Sequence, residues 1–130
     1  MRKYIYSIFA IAWIIILTFL SLISLEGAPN LGFSFADKLI HGLVYFIFAI
    51  LWFFSFSKGI TNKFFQKNAI IASAIFAIIY GICVEIMQET LVSNRQGDWQ
   101  DVLANTIGTI LAIILIKYIV LNSRKLKTEN

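Results

Sequence analysis

An acid, a base and the only histidine of the chain stand together at the start of a long apolar segment. The stretch at residues 37–45 reads DKLIHGLVY. Its residues Asp37, His41 and Tyr45 are four apart, so they share one face if the stretch is helical. An imidazole can exchange a proton near neutral pH, which makes this face a candidate for acid–base chemistry. Lys38 adds a cation that could bind a phosphate group.

Two later segments carry polar residues at similar spacings. In YGICVEIMQET, Glu85 and Gln88 are three residues apart and lie on one helical face. In GDWQDVLANTIG, Asp101 and Asn105 are four apart and also share a face. Arg95 lies between these two segments and is a second candidate phosphate ligand.

Glu85 occupies an unfavourable position for an acid. It lies near the C-terminal end of its apolar segment, where a helix dipole disfavours an anion by roughly 0.3–1 kcal/mol. It also lies about one helical turn, or roughly 5 Å, below the membrane surface. Acids embedded in a membrane normally face the protein interior and have a partner. The candidate partners are Lys38, His41 and Arg95.

The same residues also have structural interpretations. Asp37 and Asp98 each directly precede an apolar segment and are candidate helix N-caps, a role that is compatible with a site. Asp101 would then be favoured near the helix N-terminus by the dipole. The other polar residues are candidate interfacial anchors, core side chains or hydrogen-bonding groups between helices: Lys38, Arg95, His41, Tyr45 and Asn105.

The composition places these residues in a membrane protein. Of the 130 residues, 59% are hydrophobic and 14% are charged, whereas about 25% of the residues in a typical soluble domain are charged. A soluble domain of this size could not bury so much apolar surface. The single cysteine, Cys83, cannot form a disulfide within the chain and is interpreted as a small apolar packing residue.

Four apolar segments are long enough to cross a bilayer, for which about 20 residues suffice. Each is 18 to 22 residues long, and charges occur only near the ends of the third and fourth, at Glu85 and Lys117. The first segment is longer than the apolar part of a typical signal peptide, so it is interpreted as a spanning helix. The sequence predicts an all-α, four-transmembrane-helix bundle in a single domain over residues 1–130. The predicted helices are residues 4–25, 39–56, 69–87 and 102–121.

The basic residues predict the orientation of the bundle. Nine of the eleven lysines and arginines lie before the first helix, between the second and third, or at the end of the fourth. By the positive-inside rule, both termini are expected in the cytoplasm. The layer that contains His41, Glu85 and Asp101 then faces outward. The net charge of +4 is interpreted as a sign of orientation and of contact with anionic lipids, and not of nucleic-acid binding.

Small residues repeat every four positions on the third and fourth helices, and such stripes let membrane helices approach closely. We expect the two stripes to face each other, which would direct Glu85 into the bundle. The stripes are Ser73, Ala77 and Gly81 on the third helix and Ala104, Gly108 and Ala112 on the fourth.

The motifs DKLIHGLVY, EIMQ and NRQGDWQDVLANTIG resemble those of the VanZ-like family of small bacterial integral membrane proteins. The resemblance extends from residue 37 to about residue 112, where Ala112 departs mildly from the family pattern. It implies a multi-pass protein of the bacterial cytoplasmic (inner) membrane. The residues that match the family pattern are Asp37, Lys38, His41, Tyr45, Glu85, Gln88, Arg95, Asp98, Asp101, Asn105 and Gly108.

The resemblance implies a family-level link to low-level resistance against the glycopeptide teicoplanin, but no established reaction. We expect an outward-facing polar site that binds membrane lipid, a lipid-linked cell-envelope headgroup or an amphiphilic glycopeptide. One alternative is a membrane enzyme that uses His41 and Glu85 for acid–base chemistry, and another is a polar cluster that only joins helices. No cofactor or metal is expected, because one histidine among carboxylates lacks the two-histidine spacing of zinc motifs.

The topology can be tested by cysteine labelling of intact cells. Cysteines introduced at Asn30 and Asn94 should react with a membrane-impermeant thiol reagent, because both loops are expected outside. A cysteine at Asn62 should not react, because its loop is rich in lysine and is expected in the cytoplasm. Labelling only at Asn62 would mean that the orientation is inverted.

Overall fold

The computed structural model describes residues 4–23, 34–92 and 97–128, and no strand occurs in these ranges. Four helices are long and apolar enough to cross a membrane, so the predicted all-α, four-transmembrane-helix fold is confirmed. The helices are α1 (Tyr4–Leu22), α2 (Ser34–Phe54), a short α3 (Lys63–Lys67), α4 (Ala69–Leu91) and α5 (Trp99–Thr128), and a π-helical turn at Ser55–Gly59 extends α2.

The ends of the helices differ from those expected from the apolar segments. α2 begins at Ser34 and not at residue 39, α4 continues to Leu91, and α5 begins at Trp99. The added turns contain polar residues. A helix can continue into the headgroup region beyond the hydrocarbon core, and polar residues are expected there. α1, in contrast, is shorter than predicted, because it ends at Leu22 and not at residue 25.

Aromatic side chains form the centre of the bundle. Phe48 on α2 is fully buried and stacks on Tyr45 and Tyr80, with ring centroids 5.6 and 5.1 Å apart. Phe76 on α4 lies 5.6 Å from the same ring. Because lipid tails are as apolar as this core, close packing and not removal from water holds such helices together.

One end of the bundle collects the polar groups. It consists of the last turns of α1 and α4 and the first turns of α2 and α5, and we call it the polar end. Gln88 on α4 donates a hydrogen bond from Nε2 to the carbonyl oxygen of Ser21 on α1, at 3.0 Å. At the opposite end, the hydroxyl groups of Ser7 and Ser55 are hydrogen-bonded at 2.9 Å. The antiparallel arrangement thus brings polar residues of several helices to one end.

α2 and α5 are in close backbone contact. A Cβ atom at Gly108 would overlap the carbonyl oxygen of Gly42, and the carbonyl oxygen of Ala104 also faces Gly42. The expectation that Ala104 and Gly108 face the small residues of α4 is therefore wrong. α2 carries its own glycine at the crossing point, and this glycine lets the two backbones meet.

Gly81, one of the small residues of α4, lies against side chains of α2 and α5. A Cβ atom at Gly81 would lie 3.1 Å from the ring of Tyr45 and 3.3 Å from the side chain of Asn105. Gly81 therefore makes room for two polar side chains from α2 and α5. Ala112 on α5 is fully buried in the core. One turn beyond Gly81, Glu85 is 6% exposed and points into the bundle.

Adding a methyl group at Gly108 should disrupt the contact between α2 and α5. We expect Gly108→Ala to lower the stability in detergent by about 1–3 kcal/mol, because the atom that it overlaps belongs to the backbone and cannot rotate away. Gly42→Ala is the matched control, since its new Cβ would lie an ordinary 3.5 Å from the carbonyl oxygen of Ala104. Thermal unfolding of both variants in one detergent measures the difference. Equal melting temperatures would contradict the close contact.

Candidate functional site

The N-terminus of α5 is held by Asp98. Its Oδ1 accepts a hydrogen bond from the Gln100 N–H at 2.8 Å, and its carbonyl oxygen accepts one from the Asp101 N–H at 2.9 Å. Asp98 is therefore the N-cap of α5, as one interpretation of the sequence predicted. The same interpretation is wrong for Asp37, because α2 begins at Ser34 and Asp37 lies within its first turn.

Lys38 joins α2 to α5 through two carboxylates. Its ammonium group forms ion pairs with Asp98 and Asp101, and Asp37 lies 3.9 Å away. The Asp101 side chain is only 5% exposed, so its charge would be costly to bury without this partner. The hydrogen bond from Lys38, with a second one from the Gln100 N–H, holds the pKa of Asp98 below its usual value. The ammonium group of Lys38 is thus held in ion pairs with the two aspartates at the start of α5.

The imidazole of His41 lies between α2 and α5. Its Nδ1 is 3.2 Å from Oδ1 of Asn105, and its Nε2 is 3.6 Å from a carboxylate oxygen of Asp101 and 3.9 Å from one of Asp37. A proton on Nδ1 can be donated to Asn105, which fixes the orientation of the ring. His41 is therefore held in place by contacts on both of its nitrogen atoms.

The groups around His41 include types that bind metal ions. Ligand atoms of Asp37, His41 and Asp101 lie within 4.8 Å of one another. However, Lys38 already supplies positive charge to Asp101, and structural zinc sites normally have four protein ligands. The ion pairs account for this cluster without a metal. The expected absence of a metal or cofactor stays a prediction.

A cavity of about 300 Å³ opens beside these residues at the polar end. α1 supplies one wall, whose apolar residues follow spacings of three and four and so form one helical stripe. α2, α4 and α5 supply polar side chains on the other side. The apolar wall on α1 includes Trp13, Ile16, Leu17 and Leu20, the polar residues of the other helices are Asp37, His41, Tyr45, Glu85, Gln88 and Asn105, and the lining is completed by Ser21, Ile40, Val44 and Val84.

Glu85 lines this cavity from α4. Its Oε1 accepts a hydrogen bond from the backbone N–H of Asp98 at 2.8 Å. The expectation of an ion pair with Lys38 or His41 is therefore not met among the described residues, and Arg95, the third expected partner, lies outside them. The donor belongs to the N-terminus of α5. A backbone donor leaves no trace in the residue types, which is why the sequence did not indicate it.

Three side chains that line the cavity each hold one buried polar atom without a hydrogen-bond partner among the described residues. These atoms are Oε2 of Glu85, Oε1 of Gln88 and the hydroxyl of Tyr45. Both Tyr45 and Gln88 are 2% exposed. A buried polar group without a partner costs about 1–3 kcal/mol, and more if it is charged. Three of the side chains that line the cavity therefore retain unused hydrogen-bonding atoms.

The sequence indicated the polar side of the cavity and missed its apolar wall. In α1, the indole of Trp13 is fixed by a hydrogen bond from Nε1 to the carbonyl oxygen of Val44, at 3.3 Å. Nearly every residue of α1 is apolar, so no stripe along it stands out from the others. The tryptophan is the one signal that could have suggested an inward face.

The fold and the cavity define a small multi-pass membrane protein with a pocket at one end that both apolar and polar residues line. The VanZ/LLP1 family model matches residues 4–121, from α1 through most of α5. The chain therefore belongs to the VanZ/LLP1 family, and the resemblance inferred from the motifs is confirmed. The match includes α1, which the motif resemblance did not cover. No curated protein and no solved structure matches the chain.

The ion pair at Asp98 predicts a stability difference that depends on pH. Asp98→Asn keeps a side-chain oxygen for capping but removes the charge. Because Lys38 lowers the pKa of Asp98 below its ordinary value of 3.8, the wild type should be more stable than the variant above pH 3.8. The advantage should be small, since the Asp98 side chain is 39% exposed, and it should shrink as the pH falls below 3.8.

Melting temperatures of the wild type and Asp98→Asn in one detergent, over about pH 2 to pH 7, measure this difference. Other acids titrate in both proteins, so the difference isolates Asp98. An advantage that persists unchanged at the lowest pH would contradict the depressed pKa.

Proposed function

We propose that the cavity at the polar end binds the headgroup of a membrane lipid or of a lipid-linked precursor of the cell envelope. The observation that carries the proposal is that three side chains with unpartnered polar atoms, Tyr45, Glu85 and Gln88, line a cavity that also has an apolar wall on α1. A molecule with a polar group next to a hydrocarbon chain matches both surfaces. A cluster that only joined helices would be expected to pair its own buried groups.

The depth of the cavity supports a lipid ligand. Glu85 lies six residues before the end of α4, which is about 9 Å along the helix. This depth is close to the boundary between headgroups and hydrocarbon when α4 spans the membrane. On the apolar wall, Ile16 and Leu20 are 51% and 63% exposed, so this side of the cavity is open toward the surrounding lipid.

We further propose that the polar end faces outward from the cytoplasmic membrane, with both termini in the cytoplasm. Lys58, Lys63 and Lys67 lie in and around α3, at the opposite end of the bundle. The positive-inside rule favours the cytoplasm for such a lysine-rich loop. An outward site would meet lipids of the outer leaflet and wall precursors, which is compatible with the family-level link to glycopeptide resistance.

A membrane enzyme is the second candidate. It is favoured by His41, whose ring is oriented by Asn105 and borders the same cavity as Glu85. An imidazole and a carboxylate on one cavity could carry out acid–base chemistry on a bound lipid. Release of a modified lipid by the purified protein, abolished in His41→Gln, would favour the enzyme over the binding protein.

Filling the cavity from its apolar wall should block lipid binding. Ile16→Trp places a larger side chain at the cavity, whereas Ile11→Trp places the same side chain at a position of α1 that does not line it. Both isoleucines are 51% exposed, so the two variants are matched. We expect Ile16→Trp to lose most of the lipid bound by the wild type, and Ile11→Trp to retain it.

The measurement is native mass spectrometry in detergent, with an added equimolar mixture of phosphatidylethanolamine, phosphatidylglycerol and phosphatidylcholine. Melting temperatures of both variants verify that they are folded. Equal lipid binding by Ile16→Trp and Ile11→Trp would contradict a headgroup site in this cavity.

A further inference from the structure

We propose, building on the proposed function, that the lipid in this cavity carries a primary ammonium group, which Glu85, Gln88 and Tyr45 bind directly. The proposal deepens the assignment of the cavity by naming the chemistry of the headgroup. It rests on the hydrogen-bonding atoms that remain unused by the protein and on the charges that surround them.

The unused polar atoms of the side chains that line the cavity are chiefly acceptors. Nε2 of Gln88 donates to the carbonyl oxygen of Ser21, which can only accept, so the amide orientation is fixed and Oε1 remains as an acceptor. Oε1 of Glu85 is used by the Asp98 N–H, which leaves Oε2, and a carboxylate oxygen only accepts. The Tyr45 hydroxyl can accept as well as donate. A primary ammonium has three N–H donors for these three oxygen atoms.

The placement of these groups favours one shared ligand. Glu85 and Gln88 are three residues apart on α4 and lie on the same helical face. The ring of Tyr45 lies against Gly81, one turn before Glu85 on that face. All three side chains line the same cavity. A small cationic group in the cavity would therefore lie next to side chains of both α2 and α4, whose buried acceptors would turn toward it.

The charge on the cavity wall favours a cation over an anion. Glu85 and Asp37 line it, whereas Lys38 is paired with the aspartates of α5 and does not line it. A buried carboxylate is costly unless it is paired and hydrogen-bonded, and Glu85 has one such bond among the described residues. A bare phosphate would place a second negative charge beside Glu85. An ammonium group supplies the missing positive charge.

The apolar wall favours a lipid over a soluble amine. The stripe of α1 that lines the same cavity as Glu85 includes Ile16 and Leu20, which are 51% and 63% exposed. An acyl chain lying along this stripe would place its headgroup at the polar side. A small soluble amine would leave the apolar wall uncovered.

Headgroup selectivity tests the proposal. The probes are phosphatidylethanolamine, phosphatidylcholine and phosphatidylglycerol with identical acyl chains, titrated onto wild-type protein in detergent and measured by native mass spectrometry. The choline headgroup keeps the positive charge but has no N–H donor, and the glycerol headgroup has hydroxyl donors but no positive charge. We expect phosphatidylethanolamine to bind at least about tenfold more tightly than either, since hydrogen bonds to charged groups are the strong ones.

Variants locate the preference within the cavity. Glu85→Gln keeps the size of the side chain and an oxygen for the Asp98 N–H but removes the charge. We expect it to bind phosphatidylethanolamine no better than phosphatidylcholine while its melting temperature stays near that of the wild type. Cys83→Ala, on the exposed side of α4, is the control and should keep the full preference. If Glu85→Gln fails to fold, Tyr45→Phe, which removes only the hydroxyl, should still weaken the preference.

The outcomes separate this proposal from the function on which it rests. Equal binding of the three lipids, or a retained preference in both Glu85→Gln and Tyr45→Phe, would overturn the ammonium assignment. If that binding were still blocked by Ile16→Trp, the cavity would remain a lipid site. Displacement of phosphatidylethanolamine by ethanolamine at equal concentration would overturn the assignment to a lipid in favour of a soluble amine.

Discussion

The ion pairs that Lys38 makes with the two aspartates at the start of α5 fix the position of α5 against α2 at the polar end. One turn further along α2, Gly42 meets Gly108, so the same two helices are joined first by charge and then by close backbone contact. Asp98 takes part in this joint, caps α5 and also donates its N–H to Glu85 on α4. Asp98 and Asp101 at the start of α5 therefore set the relative positions of α2, α4 and α5.

This joint also determines the character of the cavity beside it. Because the ammonium group of Lys38 is held by the aspartates of α5, the neighbouring cavity has carboxylates and amide oxygens on its wall without that cation. Glu85 uses one oxygen to meet α5, and its other oxygen is buried and has no hydrogen-bond partner among the described residues. Buried polar atoms in a membrane protein normally have partners, so the unpartnered atoms of Tyr45, Glu85 and Gln88 are the observation on which the proposed ligand rests.

Residue types and spacing predicted four helices and the meeting of polar residues from three of them. These features follow from the thickness of the membrane and from the helical period. The pairing of side chains did not follow, since Glu85 meets a backbone N–H and Gly108 meets Gly42. Such pairs depend on the rotation of each helix about its axis. In helices rich in small and apolar residues, several rotations would bury similar stripes, so the sequence does not select among them.

The attachment of α1 explains why the cavity lies on that side of the bundle. α1 is held by separate hydrogen bonds, from Trp13 to Val44, between Thr18 and Tyr80, and from Gln88 on α4 to the backbone near its end. Such bonds between membrane helices average only about 0.6 kcal/mol each. Where Gly42 of α2 meets Gly108 of α5, backbone touches backbone. The cavity lies between α1 and its neighbours, where the contacts are spaced apart, and Glu85 and Gln88 of α4 line it.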